Sequence, residues 1–170
     1  MTGIAALALD RLQMRYLMRT HATGRIDSIA QPSLDLYNGE IVAFETSKRP
    51  VFELVGSMLK KALARLASHE RPMPHSDQSW QYRTPAYQRQ LRERQLVQNM
   101  SRKGNYLDNA AMESFFAVLK SEFFYLNKFD SVDALRDGLA DYIHYYNHDR
   151  IKLKLKGLNP VQYRTQALAA

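Results

Sequence analysis

The chain has 170 residues, 45% of them hydrophobic and 24% charged, and it contains no cysteine. That length suits one domain with at most a short appendage, large enough to bury a core without disulfides or a structural metal. The missing cysteines exclude a disulfide scaffold, a cysteine nucleophile and every zinc site built on thiolates. Lysine and arginine total 24 against 17 acids, a net charge of +7 that suits a polyanionic partner such as nucleic acid.

The surplus is spread evenly. Residues 1–74 carry 10 basic side chains against 7 acids, and residues 75–126 and 127–170 each carry 7 against 5. With no basic tail, any nucleic-acid surface has to be assembled by folding. No apolar run approaches the ~18 residues of a membrane span. Met1 to Leu9 lacks a basic stretch before it and is followed at once by Asp10 and Arg11, so it makes a poor signal peptide. The expectation is a cytoplasmic, nucleoid-associated protein with no membrane partner.

In chain order, residues 4–18 are rich in Ala, Leu and Met and read as helix, and residues 19–32 read as a linker. Asn38-Gly39 then separates two β-prone runs, Leu34 to Tyr37 and Glu40 to Glu45. This is a strong hairpin signal, in which both turn positions are expected at positive φ. Pro50 suits the first turn of a helix. Phe52, Val55, Leu59, Leu63 and Leu66 follow at spacings of three and four, with Lys60, Lys61 and Arg65 on the other face. A short segment with two prolines (71–80) leads to a helix from Pro85 to about residue 94, a brief strand near 96–100 and a polar turn at 101–105.

Asp108 or Asn109 is placed to cap a long helix to about Leu126, whose apolar stripe is Met112, Phe115, Phe116, Leu119, Phe123 and Leu126. Ser131 caps another helix to about Asn147, and Asn159-Pro160 opens a terminal one. Arg150, Lys152, Lys154 and Lys156 alternate with Ile151, Leu153 and Leu155, which suggests an extended segment with one basic and one buried face. Trp80, Tyr82 and Tyr87 read as packing residues rather than base-stacking groups. The order of elements is that of an α/β fold, a small mixed sheet flanked by helices.

Two carboxylates stand out for chemistry. Asp77 follows the short segment, and Glu113 lies in the first turns of the long helix, with 35 residues between them. Converging carboxylates of this kind hold Mg²⁺, which prefers oxygen ligands and shares its shell with phosphates. A pair of such ions clamps an in-line phosphoryl displacement. Lys120 stands seven residues after Glu113, on the same helical face. The plain alternative is two solvated acids and a solvated lysine. His144 and His148, four apart, lack a matching third ligand.

Several segments together carry a resemblance. They are His75-Ser76-Asp77-Gln78 with Trp80-Gln81-Tyr82, Met100 to Asn105 with Asp108-Asn109-Ala110, Glu113-Ser114-Phe115-Phe116, and Tyr145-Tyr146-Asn147 with Arg150 and Pro160. In this combination the chain resembles the integrase-type catalytic core, most closely the transposases of bacterial insertion sequences made from two overlapping reading frames. The resemblance covers residues 33–170 and leaves 1–32 as a non-matching segment of helix and linker.

It implies a ribonuclease-H-like fold and Mg²⁺- or Mn²⁺-dependent cleavage of a DNA end, followed by strand transfer. It also implies double-stranded DNA, element ends and target, as partner, with self-association or association with full-length transposase. On it, Asp77 and Glu113 match two of three metal-binding acids, and Arg102, Lys103 and Lys120 are DNA-positioning candidates.

The third acid is expected on a first strand reading Asp-x-Thr-Glu. Counting back from Asp35 by the family's usual spacing reaches Leu17 and Met18, and nothing in 1–31 resembles that strand. Asp10, Asp27 and Asp35 are the available acids, and Asp35 fits the hairpin instead. Pro74 and Ser79 are further departures beside Asp77. The expectation is a truncated or frame-shifted copy that lacks strand one and is catalytically impaired, with a non-catalytic DNA-binding or transposase-interacting fragment as the alternative.

Overall fold

The structure is a computed structural model that describes residues 7–8, 15–20, 24–47, 52–76, 78–100 and 110–169. The strands are β1 (Leu7–Ala8), β2 (Arg15–Thr20), β3 (Gly24–Asp35), β4 (Ile41–Ser47), β5 (His75–Ser76) and β6 (Asn99–Met100). The helices are α1 (Phe52–Ala64), α2 (Pro85–Glu93), α3 (Ala110–Leu119), α4 (Val132–His148) and α5 (Pro160–Ala169).

β3 is the long strand on which the larger sheet is built. It pairs antiparallel with β2 through Arg15↔Ile29 to Thr20↔Gly24, with β1 through Leu7↔Asp35, and with β4 through Ile29↔Ser47 to Leu34↔Ile41. The helix expected over 4–18 and the linker over 19–32 are therefore corrected to strands across the described residues of that region. Ladder pairing along β3 outweighs the helical leaning of the Ala- and Leu-rich composition, as tertiary context commonly does. The place beside β3 where a lost strand was expected is filled, but the β2 sequence Arg-Tyr-Leu-Met-Arg-Thr holds no carboxylate.

The β3–β4 hairpin forms with a different turn from the expected one. Gly39 N–H donates to Asp35 C=O at 2.7 Å and Asp35 N–H to Glu40 C=O at 2.9 Å, so four residues bridge the strands. Only Gly39 takes a positive φ, +72°, and Asn38 does not. Asn38 is used otherwise. Its Oδ1 accepts from Glu40 N–H at 2.9 Å and its Nδ2 donates to Pro160 C=O at 3.0 Å, so it bonds within the turn and to α5.

α1 packs on β3 and β4. Its Leu54, Val55, Met58, Leu59, Ala62 and Leu63 are buried, which agrees with the spacing of its apolar residues. All of these except Leu54 join Ala43, Tyr82, Tyr87, Leu91 and Leu96 in one cluster of the core. A second cluster joins Leu34 and Ile41 to Met112, Phe115, Phe116, Leu119 and Phe123 of the α3 region, and to Leu135, Leu139, Tyr142, Ile143 and Tyr146 of α4. Ser131 caps α4 by accepting from Ala134 N–H at 3.0 Å, and Asn159 caps α5 by accepting from Gln162 N–H at 2.7 Å. Both caps agree with the sequence reading.

Two expectations fail at helix ends. Leu126 is 74% exposed rather than in the core stripe. α3 runs on through a π-helical turn, Lys120–Phe124, and closes with Tyr125 N–H on Lys120 C=O, so Leu126 lies beyond the helix. The alternating segment 150–156 is likewise not extended. It folds into a 3-10 turn, Leu153–Leu155, closed by Lys156 at φ +59° and Gly157 at φ +80°. Leu155 is buried there, while Leu153 is 93% exposed.

Candidate active site

β5 and β6 are parallel, with His75↔Asn99 and Ser76↔Met100 in register. Pro74 gives this pair no amide donor, yet its carbonyl still accepts from Asn99 N–H at 2.8 Å. Asp77 follows β5 directly in the sequence and lies outside the described residues, as do Arg102, Lys103, Asp108 and Asn109.

The residue before Asp77 is held by a relay of side-chain amides that the sequence reading missed. Gln88 on α2 donates to Tyr82 C=O at 2.8 Å and also to Gln98 Oε1. Gln98 in turn donates to the buried Ser76 Oγ. The relay ties α2, the approach to β6 and the end of β5 together. Separate glutamines carry no periodic signal, so only folding reveals it.

α3 presents Glu113 in its first turn, exposed, where the partial positive charge of a helix N-terminus favours a carboxylate. Lys120 begins the π-helical turn and is partly exposed. Behind them Met112, Phe115, Phe116 and Leu119 are buried and fix the helix against α4. Among the described residues, no group of three or more His, Asp or Glu side chains is placed to hold a metal ion.

Glu122 anchors the π-helical turn. Arg150 donates Nε to Glu122 Oε2 at 2.8 Å and Nη2 to Oε1 at 2.6 Å, a two-pronged pair, and Tyr142 OH donates to Oε2 at 3.1 Å. The Arg150 guanidinium beside it, helped by Tyr142, holds the Glu122 carboxyl below the usual carboxylate range. Burial, then the neighbouring Glu122, pushes the Tyr142 hydroxyl well above its ordinary value. Arg150 was expected on a basic face; it is instead an ion-pair partner inside the fold.

The hairpin turn is clasped from the end of α1 and from the C-terminal region. Buried Glu40 accepts from Arg65 Nη2 and Arg164 Nε, each at 2.8 Å. Asn147 accepts from Ile41 N–H and donates to Ile41 C=O, each at 2.9 Å. Lys152 Nζ donates to Tyr146 OH at 2.7 Å and to Gly39 C=O at 3.2 Å. Burial, with Arg150 nearby, lowers the Lys152 ammonium to about 8. Asp35 Oδ1 accepts from Tyr37 N–H at 2.9 Å, and burial raises its carboxyl. Asp35 thus ends β3 and braces the turn, a structural place in the first half of the hairpin as expected. His144 and His148 stack with ring centroids 4.5 Å apart on the exposed side of α4.

No helix among the described residues is long and apolar enough to cross a membrane.

The comparisons agree with this architecture. The chain is 52% identical over 135 residues to the transposase InsK described for insertion sequence element IS150 of Escherichia coli K12, covering 79% of this chain and 48% of that protein. It is also 52% identical over 137 residues to an uncharacterized transposase-like protein of Haemophilus influenzae Rd, covering 81% of this chain and 63% of the relative. The chain thus spans about half the length of the first relative and under two thirds of the second.

Among solved structures, the catalytic core domain of HTLV-2 integrase in complex with magnesium aligns with a TM-score of 0.62 at 11% identity, over 85% of this chain and 88% of that one. The catalytic core domain of BIV integrase aligns with a TM-score of 0.62 at 12% identity, over 84% and 89% of the two chains. These likenesses give the fold: an α/β, ribonuclease-H-like integrase core. The integrase core domain matches residues 17–106, upstream of where the sequence resemblance begins, and again residues 113–168, starting on Glu113 itself. With more than half its length under the first match alone, this chain belongs to the integrase core domain family.

Proposed function

We propose that this chain is the catalytic-core part of an insertion-sequence transposase, acting on double-stranded DNA at element ends and target, with impaired chemistry. The observation that carries the reading is family membership combined with an exposed Glu113 at the start of α3 and an Asp77 directly after β5. Those two carboxylates would hold a divalent metal, Mg²⁺ or Mn²⁺. Their hard oxygen donors suit such an ion, which when bound supplies charge neutralisation at the phosphate undergoing displacement.

The impairment rests on the donor set. β2 offers no carboxylate, Asp35 is buried in the hairpin turn, and Asp10, two residues beyond β1, lies outside the described residues. A metal site short of one ligand binds weakly and misplaces what it binds, and a shift of about 1 Å costs on the order of 10²-fold in rate. Lys120, Arg102 and Lys103 are proposed to position DNA. The net charge of +7 supports that role, as does the family of transposases to which the relatives belong. Self-association or association with full-length transposase belongs to the same reading.

The lost acid also favours a second reading, a non-catalytic DNA-binding partner of active transposase. A nicking assay on element-end DNA with Mg²⁺ or Mn²⁺, beside a salt-dependent binding assay, separates the two. Weak nicking that disappears in Asp77→Asn supports an impaired enzyme. Binding without nicking, unchanged in Glu113→Gln, supports the non-catalytic partner. Robust nicking abolished by Asp77→Asn would overturn the impairment and mean that a substitute acid completes the site, and no binding at low salt would overturn both readings.

A further inference from the structure

We infer that Trp80 is a stacking platform for an unpaired base at a DNA end, a contact that rests on the DNA-handling reading above and goes beyond it. The sequence suggested a packing role for Trp80, Tyr82 and Tyr87 alike. The structure separates them: Tyr82 and Tyr87 are buried, whereas Trp80 is 57% exposed. The Trp80 ring is therefore open to a partner, while Tyr82 and Tyr87 pack edge to face within the core.

The ring stands on a firm base. It opens a 3-10 turn, Trp80–Arg83, whose next two residues, Gln81 and Tyr82, are buried. Tyr82 N–H donates to Ser79 C=O at 3.2 Å, and Tyr82 OH accepts from Gln31 Nε2 of β3 at 2.9 Å. Tyr82 C=O accepts from Gln88, which also belongs to the amide relay reaching Ser76. Thr84 closes the turn by donating to Gln81 C=O at 2.9 Å and caps α2. The turn is thus tied to β3, to α2 and to the end of β5, four residues before Trp80 and directly before Asp77.

The surroundings choose the partner. Arg83, Arg89, Arg92 and Arg94 are all exposed over the stretch that begins with this turn, against a single acid, Glu93. Glu93 lies 3.9 Å from Arg89 and leaves the stretch positive. An apolar partner gains little from that charge, whereas a phosphate backbone gains much. Aromatic rings beside cationic side chains are the usual means of holding single-stranded bases without reading their sequence. Within a duplex the base faces are already stacked on one another, so the platform favours an end whose terminal bases are unpaired, and Trp80 lies three residues after Asp77 in the sequence.

Trp80 is the only tryptophan in the chain, so its fluorescence reports on this position alone. The experiment compares a blunt duplex with the same duplex carrying a short single-stranded extension, following labelled-DNA anisotropy and tryptophan emission together at low salt. The frayed duplex is expected to quench the emission strongly and the blunt duplex weakly. Trp80→Ala is expected to weaken binding of the frayed duplex roughly tenfold and leave the blunt duplex nearly unchanged, while Trp80→Phe retains most of the preference.

Unchanged emission while anisotropy reports bound DNA would overturn the platform and leave the DNA reading intact. Equal weakening of both duplexes in Trp80→Ala would do the same. A shift in emission that follows protein concentration without DNA would reassign Trp80 to a contact between copies of the chain. If neither duplex binds, the DNA-handling reading itself fails.

Discussion

The side-chain amide of Asn147 on α4 grips the backbone of Ile41 at the start of β4 from both sides, accepting from its N–H and donating to its C=O at 2.9 Å each. Both residues are buried, so the carboxamide does for the strand what a neighbouring strand would do. Asn147→Ala strips both partners from a buried peptide unit. We expect a loss of about 2–4 kcal/mol from two unmade buried bonds, visible as a drop in Tm of several degrees. Asn147→Asp keeps the acceptor and loses the donor, and it should be no less destabilising at neutral pH because it buries a carboxylate against a carbonyl.

Glu40 is held between two arginines on different elements, Arg65 after α1 and Arg164 on α5, with its own side chain only 3% exposed. Removing one arginine leaves the other in place, so Arg65→Met and Arg164→Met should each cost about 1 kcal/mol in these half-exposed pairs. The double variant should cost more than their sum, since it abandons a buried carboxylate. Chemical denaturation of the four species closes the cycle, and simple additivity would contradict a shared anchor.

Gly39 has φ +72°, and a Cβ there would lie 2.7 Å from Lys152 Nζ. Gly39→Ala should destabilise by roughly 1–2 kcal/mol from the left-handed backbone. Pairing it with Lys152→Met should relieve the contact only, so most of the loss is expected to remain in the double variant.

Lys152 also gives the protein a distinctive pH response. Its ammonium is lowered to about 8 by burial from an ordinary 10.5, so between those values the unfolded chain binds more protons than the folded one. Stability should therefore rise as pH increases from about 8 towards 10.5. Tyr146, raised to about 12 by burial, opposes this above its ordinary value of 10.0, where the unfolded chain ionises first. The groups facing Lys152 are Arg150, the Tyr146 hydroxyl and the Gly39 carbonyl. Urea midpoints measured from pH 8 to 10 should climb in the parent and flatten in Lys152→Met.

Glu122 has the opposite sign. Its carboxyl is depressed by Arg150, so it adds stability above the ordinary value of 4.5 that is lost as pH falls through the folded value. Arg150→Met should remove about 1–2 kcal/mol at neutral pH, and should make the acid limb of the stability profile shallower below pH 4.5.

Much of this protein was legible in local signals. Ser131, Asn159-Pro160 and the three-and-four spacing of α1 placed their elements because caps and periodic burial act within a few residues. The combination of Asp77, Glu113 and the Tyr145 to Pro160 motif pointed to the family, since residue identities at those spacings need no coordinates. Sequence alone could not place β1 and β2, whose pairing with β3 depends on a ladder partner rather than on their own helix-leaning residues. Nor could it see that Arg150 and Lys152 point inward to Glu122 and Gly39 instead of tracking a basic face. The alternation of residues 150–156 was real in sequence, but positive φ at Lys156 and Gly157 turned it into a closed loop. Trp80 makes the same point: three aromatic residues look alike in sequence, and only folding separates the exposed ring of Trp80 from the buried Tyr82 and Tyr87.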